Sequence, residues 1–571
     1  MAQSSVQDIE RAPVVSGVPP VSRAFGRLAA ALAGGVLLFL AFPPIDLWFL
    51  APPAVALLTL AVYGAGARRA ALLGGLGGAA FLLPALAWVR PIGDDAWVLL
   101  VAVESLFFAA MSAAVALVTR LRAWPLWVAA LWVAQEWARG AFPLGGFPWV
   151  RVAFSQGGSV FTPYAALGGA PLVTFTVVLC GTLLASALVT LAHLVRREAA
   201  RGRAPAGGGP AAAVPGASAF PSRSIGAVRR WFGAGASRGA VWTLVGTLAV
   251  PLLGYAVPRP RAEAAGRTVK VGVIQGDVPG TGMGFLGDQP AVVLRNHAGK
   301  THELAQAVRE GKVERPDIVV WPENSTDIDP YRDSYARSVI DGAARDIGVP
   351  VLVGAVVRAA DGEHRYTRGV VWDPATGPGA YYDKRKLVPF GEFVPFKDLL
   401  ATFVKRVELV GLQSLPGDRE GDLKIGPVTV GAVECYEVAF DDIVRGTVRT
   451  GATPLVVQTN NATYALTNLP PQQLAMSRLR AVEHDRAVIT AATTGISAYV
   501  DPDGEVRWST AEGVADMAVV TVPLSTGETI ATRVGAAPEW ALVLAGAGAL
   551  AVAVLRRRPA PKHRSSDGED G

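Results

Sequence analysis

The hydrophobic pattern divides the chain in two. Up to residue 257 apolar residues come in long, nearly unbroken runs, at 28–42, 47–63, 70–89, 96–118, 124–138, 164–195 and 240–257. Several approach the ~20 residues that a helix needs to cross a bilayer, so the pattern predicts seven membrane helices. An eighth is predicted at 540–555. From Arg267 onward the period shortens, and β-branched runs alternate with amphipathic stretches. Strands are predicted at 268–275, 317–321, 349–357, 369–372, 428–435, 454–459, 487–493, 496–500 and 517–522. Helices are predicted at 297–309, 331–347, 441–449 and 472–485. Such alternation gives a sheet covered by helices, and roughly 260 residues is ample for one core.

Composition agrees with this division. Of 571 residues 51% are hydrophobic and 18% charged, too apolar for one soluble protein, so part of the chain lies in lipid. The net charge of +6 would fit nucleic acid, but its distribution follows membrane topology instead. Arginines cluster at Arg11, Arg23 and Arg27, at Arg68 and Arg69, at Arg120 and Arg122, through 196–238, and at 556–564. The alternate loops hold only Arg90, Arg139 and Arg151. Positive-inside placement therefore predicts cytoplasmic termini and an extracytoplasmic domain. Ala41-Phe42-Pro43-Pro44 is a poor cleavage site, so the first span is expected to be retained.

The expected organisation follows. A tail at 1–27 precedes a membrane domain at 28–257 with seven helices, interrupted by a disordered basic linker at 197–239. An extracytoplasmic α/β domain at 258–535 leads to a closing helix at 536–555 and a basic tail at 556–571.

Three predicted apolar segments end in reactive side chains. IVVWPE ends at Glu323, YYDKRKLVPFGEFVPF carries Lys384 after its aromatic pair, and VTVGAVECYE reaches Cys435. A lone cysteine is more often packing than nucleophile, but in a layered α/β fold such ends converge on one edge. A thiol near its ordinary pKa of ~8.5 is protonated at neutral pH and needs a base, which Glu323 provides. Attack on a carbonyl builds negative charge, which Lys384 and a backbone N–H near Tyr436 would stabilise.

Counting excludes other chemistries. Cys180 and Cys435 are the only cysteines and Cys180 lies in an apolar run, so neither a disulfide framework nor a CxxC metal site is available. The six histidines are scattered, and His297 and His302 share no helical face, so no metal site is expected. Gly280 to Gly284 fits a loop better than a phosphate cradle. No cofactor is expected, since thiolate-mediated carbonyl transfer needs neither redox chemistry nor metal. Phe390, Phe393, Phe396 and the apolar residues that follow are expected either to form an arm dipping into lipid or to fill the domain core. Glu136 and Arg139, three apart near the end of the fifth run, suggest an ion pair or a headgroup contact.

WPEN with Glu323, the lysine motif with Lys384 and VECYE with Cys435 together resemble the Glu-Lys-Cys triad of the nitrilase superfamily. The LVPFGEFVP form is similar to the apolipoprotein N-acyltransferase family, as are AFPPIDLWFL at 41–50 and WVAQEWARGAFPLGGFPW at 132–149. The resemblance covers roughly 28–555 apart from the linker. It implies an αββα nitrilase-like sandwich on about eight membrane helices in a bacterial inner membrane. It further implies Glu323 as base, Lys384 as stabiliser of the tetrahedral intermediate and Cys435 as nucleophile, supported by Glu392, Tyr436 and Glu437. The implied reaction moves an acyl chain from a phospholipid to the α-amine of a diacylglyceryl-cysteine lipoprotein by a ping-pong route. Asn460-Asn461-Ala462-Thr463-Tyr464 departs from the Asn-Asp-Ala-Trp run of many relatives, and Phe285 stands where a tryptophan is expected. A membrane-tethered amidase using the same triad, and an inactive membrane scaffold or transporter, remain as alternatives.

Overall fold

The computed structural model describes residues 20–201, 235–257, 266–280, 291–402 and 404–556. The linker, both terminal tails, Phe285, Phe403 and most of the loop after Gly280 lie wholly or largely outside these residues.

Each of the eight apolar runs carries a helix. These are α1 (Pro20–Leu40), α2 (Ala51–Val62), α3 (Ala67–Ala85), α4 (Asp94–Val118), α5 (Trp124–Ala141), α6 (Ala165–Arg201), α7 (Gly235–Ala256) and a last helix over Ala537–Leu555. Among the described residues, three helical stretches are long and apolar enough to cross a membrane: Asp94–Val118, Thr162–Arg197 and Ala537–Leu555. Ala24–Leu40, Trp48–Val62 and Val241–Ala256 are shorter apolar helices. Helices α1 and α3 meet closely because glycine faces glycine: a Cβ on Gly35 would lie 2.2 Å from the Gly77 carbonyl oxygen. Small residues of this kind let membrane helices pack where lipid removes the hydrophobic drive. The run at 164–195 is not one smooth helix. Gly168 and Gly169 leave helical geometry, Gly169 at φ +70°, and hydropathy cannot register that break because glycine does not interrupt an apolar run.

The second half is a two-sheet sandwich. Its elements are β1 (Thr268–Gln275), α8 (Val292–Arg309), β2 (Ile318–Val320), α9 (Ser334–Ile347), β3 (Val351–Arg358), β4 (His364–Asp373), β5 (Gly377–Asp383), α10 (Lys397–Ala401), β6 (Gln413–Ser414), β7 (Asp422–Ile425) and β8 (Val428–Glu434). There follow α11 (Asp441–Arg449), β9 (Leu455–Thr459), α12 (Leu469–His484), β10 (Val488–Ala492), β11 (Ala498–Val500), β12 (Val506–Ser509), β13 (Asp516–Pro523), α13 (Ile530–Val534) and α14 (Ala537–Leu555), the last apolar helix. One sheet runs β13-β1-β2-β3-β4-β5 with β6 beside β4, and the other runs β12-β11-β10-β9-β8-β7. Strands β6, β7 and β12 escape the sequence pattern because they are short or carry exposed polar positions, and β5 because it opens on Gly-Pro-Gly-Ala instead of a β-branched run.

Alternation along the strands builds the layers. Val269, Val271 and Val273 of β1 meet Val430, Val456 and Ile489 between the sheets, while Ile274, Val351 and Val353 face α8 and α9 on one outside. On the other outside Val433, Val457 and Val488 pack under α11 and α12. That core does not stop at the domain edge. It continues without a break through Tyr436 and Phe440 to Trp88, Trp149, Phe154, Val173 and Ala549 of the membrane half.

The two charged residues near the end of α5 do not pair with each other. Glu136 accepts from the Val152 N–H and the Thr174 hydroxyl, both at 2.8 Å. Arg139 donates to the carbonyls of Trp149 (2.7 Å) and Phe147 (3.1 Å) and reaches Glu104 at 3.4 Å. Each thus satisfies a different neighbour, and together they brace the loop that leads to Trp149.

Candidate active site

Strands β2 and β5 of the first sheet and β8 of the second deliver their C-terminal ends to one edge of the sandwich. Glu323 lies three residues beyond β2, Lys384 one beyond β5 and Cys435 one beyond β8. The structure brings Glu323 and Lys384 into contact. Lys384 Nζ is 2.8 Å from Glu323 Oε1 and 2.9 Å from Glu392 Oε1, with the lysine side chain 1% exposed. The second Glu323 oxygen accepts from the Asn460 N–H at 3.0 Å. Glu392 is anchored by the Val388 N–H at 2.7 Å.

Cys435 sits at φ +50°, the left-handed region, where the strand turns sharply into a short 3₁₀ helix over Cys435–Ala439. Its Sγ lies 3.1 Å from the Thr459 hydroxyl and 3.7 Å from Gln473 Nε2. The Thr459 oxygen is also 2.7 Å from Asn461 Oδ1 and 3.0 Å from Gln473 Oε1, so one hydroxyl proton is contested by three acceptors.

Glu437 ties this turn to the lysine loop. Its Oε1 accepts from the backbone N–H groups of Arg385 (2.7 Å) and Lys386 (3.0 Å), and its Oε2 from that of Glu434 (2.8 Å). The Tyr382 hydroxyl lies 3.0 Å from both oxygens. One carboxylate therefore fixes the backbone next to both Lys384 and Cys435. Tyr436 leans the other way, stacking on Phe147 and Trp149 at 6.3 and 6.1 Å between ring centroids.

Burial sets the charge states. It pushes the Cys435 thiol up to about 12, with the Glu323 charge adding and Lys384 and Thr459 opposing. Burial also raises Glu323 from the ordinary carboxylate range against the pull of Lys384. Burial alone would lower Lys384, but Glu323 and Glu392 outweigh it and hold the ammonium well above its usual value. A protonated thiol beside a raised carboxylate and a firm cation can pass its proton to that carboxylate as it attacks.

Residues 34–183 match the model described as the apolipoprotein N-acyltransferase N-terminal domain, and residues 289–532 that of the carbon-nitrogen hydrolases. An apolipoprotein N-acyltransferase of Mycolicibacterium smegmatis is 37% identical over 94% of this chain and 86% of its own. The chain belongs to the apolipoprotein N-acyltransferase family. A Geobacter metallireducens apolipoprotein N-acyltransferase is 29% identical over 92% of this chain and 95% of its own. An amidase from Nesterenkonia sp. AN1 aligns at a TM-score of 0.34 and 19% identity, over 47% of this chain and 93% of the amidase. The N-terminal family match ends inside α6, and the hydrolase match takes in all three strand ends.

Thr459, Gln473 and the Asn460 N–H are contacts that pattern reading missed. Thr459 ends β9 as Cys435 follows β8, so the same strand-end logic would have found it; Gln473 enters from a helix face and leaves no such sign. The aromatic stretch after Lys384 divides, with Phe390 and Phe396 exposed at 50% and 78%, Phe393 half-buried and Val394 turned inward. His297 is buried and His302 pairs with Asp346, and among the described residues no group of three or more His, Cys, Asp or Glu is placed to hold a metal ion.

Proposed function

We propose that this protein is a phospholipid:apolipoprotein N-acyltransferase, working through a Cys435 thioester. The observation that carries the proposal is the buried Lys384 held between Glu323 and Glu392 beside the Cys435 turn. Membership in the apolipoprotein N-acyltransferase family supports the acceptor. In the first half-reaction Glu323 takes the thiol proton and sulfur attacks the ester carbonyl of a phospholipid. Lys384 and a backbone N–H at Tyr436 meet the charge on oxygen. Collapse breaks the ester C–O bond, and the leaving alkoxide regains the proton from Glu323. In the second half-reaction the α-amine of a diacylglyceryl-cysteine attacks the thioester and gives its proton to Glu323, the C–S bond breaks, and the Cys435 thiolate takes that proton back. Glu392 and Glu437 hold the lysine loop, and Tyr436 joins the site to the membrane helices.

The same proposal places eight spans in a bacterial inner membrane, both termini and the 197–239 linker in the cytoplasm, and the unit at 258–535 outside. Alternation of the arginine clusters supports that orientation. The exposed Phe390 and Phe396 form a lipid-facing arm, with Phe393 at its base.

Intact mass of the detergent-solubilised chain after incubation with phospholipid tests the proposal. Wild type should gain one fatty acyl mass, removable by hydroxylamine or by a diacylglyceryl-cysteine peptide, and Cys435→Ala should gain none. No gain by either protein from accessible phospholipid would rule the acyltransferase out.

A further inference from the structure

Directly before Cys435 stands a carboxyl that the steps above do not use. Glu434 is 0% exposed, and neither of its oxygens has a hydrogen-bond partner. Its carboxyl approaches the Glu437 N–H as one half of a capping box, but falls short of good hydrogen-bond geometry. Gln458, also 0% exposed, is its directly paired neighbour on β9, and the Oε1 of Gln458 likewise has no partner. Both oxygens lie over Gly369 of β4: a Cβ built there would be 2.7 Å from Gln458 Oε1 and 3.0 Å from Glu434 Oε1. Only glycine at that point leaves room for the two of them.

Two buried acceptors facing one point repel each other unless one carries a proton. An amide oxygen cannot; a carboxyl can. The surroundings favour that proton, since the buried Glu323 and Glu437 and the half-buried Glu392 already share the single ammonium of Lys384. Burial, reinforced by the charges of Glu323 and Glu437, pushes the Glu434 carboxyl well above the usual carboxylate range. Gln458 then passes the contact on. Its Nε2 donates to the Trp321 carbonyl at 2.6 Å, two residues before Glu323, so its orientation is already fixed with the oxygen toward Glu434.

We propose that Glu434 works as a neutral carboxylic acid whose O–H donates to Gln458 Oε1, making it a positioning residue that holds the Trp321–Glu323 segment against Lys384. It touches neither substrate nor reacting atom. This role deepens the acyl-transfer reading of the Cys435 site and rests on it. An ionised Glu434 would do the reverse, adding a fourth carboxylate around one lysine and repelling Gln458.

The test uses the full-length protein in detergent with Glu434→Gln, which keeps a neutral donor of the same shape, and Glu434→Leu, which keeps only the bulk. In the infrared difference spectrum at neutral pH, wild type should show a protonated-carboxyl C=O stretch that Glu434→Gln lacks. Glu434→Gln should load acyl groups from phospholipid within about threefold of the wild-type rate and with the same pH profile. Glu434→Leu should load on the order of 10- to 100-fold more slowly, with the KM for phospholipid within about twofold, the pattern of a misplaced base rather than lost binding. Absence of the infrared band, a Gln variant as slow as the Leu variant, or a Leu variant as fast as wild type would each overturn the proposal. Failure of the acyl-transfer reading itself shows separately, as wild type taking up no acyl mass while the infrared band, which needs no substrate, is still present.

Discussion

The Tyr436 hydroxyl donates to the Gly146 carbonyl at 3.0 Å, so the residue next to Cys435 is bonded to the loop that leaves α5. Tyr436→Phe removes that hydrogen bond and keeps the stacking on Phe147 and Trp149. It should cost about 1 kcal/mol in stability and leave acyl loading measurable. Tyr436→Ala, which also empties a buried aromatic site, should cost about 3–5 kcal/mol. Thermal unfolding in detergent beside the mass assay separates the two.

Lys384→Met leaves the buried Glu323 and the half-buried Glu392 with no cation between them. Breaking a buried pair from one side typically costs about 3–5 kcal/mol, so unfolding should shift markedly downward and acyl loading should cease. Lys384→Arg should not restore loading, because a planar fork cannot replace a compact ammonium in a space this closed.

The Cys435 thiol stands at about 12, raised above the ~8.5 of an unfolded thiol. The folded state therefore retains this proton more firmly than the unfolded one. The resulting stability is complete below ~8.5 and is lost as pH rises toward 12. Alkylation by iodoacetamide should accordingly still be climbing above pH 9. Glu323→Gln removes one of the charges that raise the thiol, so alkylation should begin at lower pH. Acyl loading at neutral pH should nonetheless fall by about 10²- to 10⁴-fold, because the proposed base is gone.

His297 presents the opposite sign. Burial lowers it from 6.5 to about 4, with the Val293 carbonyl contact and Asp277 opposing. The unfolded chain binds this proton more readily, so the contribution is present above pH 6.5 and is lost as pH falls from 6.5 to 4. About 3 kcal/mol is at stake by the usual conversion. His297→Gln should flatten the fall of unfolding temperature over that window, and an unchanged slope would show that His297 does not govern it.

Arg151 gathers carboxylates from three parts of the chain. It meets Asp441 of α11 at 2.9 Å, Glu136 of α5 at 3.6 Å and Glu539 of α14 at 3.8 Å. Arg480 reaches the same Asp441 at 2.7 Å and the Val438 carbonyl at 2.9 Å. Arg151→Met takes the cation from Glu136 and Glu539 and leaves Asp441 with Arg480 alone, so unfolding should shift by about 3–5 kcal/mol. Moderate salt should not reproduce the effect, because the group is buried and poorly screened.

The features readable in advance were those written along one strand or one helix. Val428 to Glu434 is a run whose end points at a site, and the same holds for the run before Glu323. What stayed hidden depends on partners tens of residues away, beyond the reach of any helix or strand period. The spacing of Glu136 and Arg139 suggested a pair, yet Val152, Thr174 and Trp149 claimed them separately, and no local pattern encodes such neighbours. Glu434 resembled any strand residue until Gly369, on the other sheet, showed where its carboxyl goes. Strand β5, which delivers Lys384, alternates too weakly to stand out.

Cys435 is held at φ +50°, a conformation that costs a residue with a side chain roughly 1–2 kcal/mol and glycine almost nothing. The strain and the sulfur thus belong to the same residue. Cys435→Ala keeps the strain and loses the chemistry, whereas Cys435→Gly loses both and should be the more stable. Judged by folding alone, the best occupant of this position is one that cannot react. Under the proposed mechanism it is the thioester, not the fold, that calls for a side chain there.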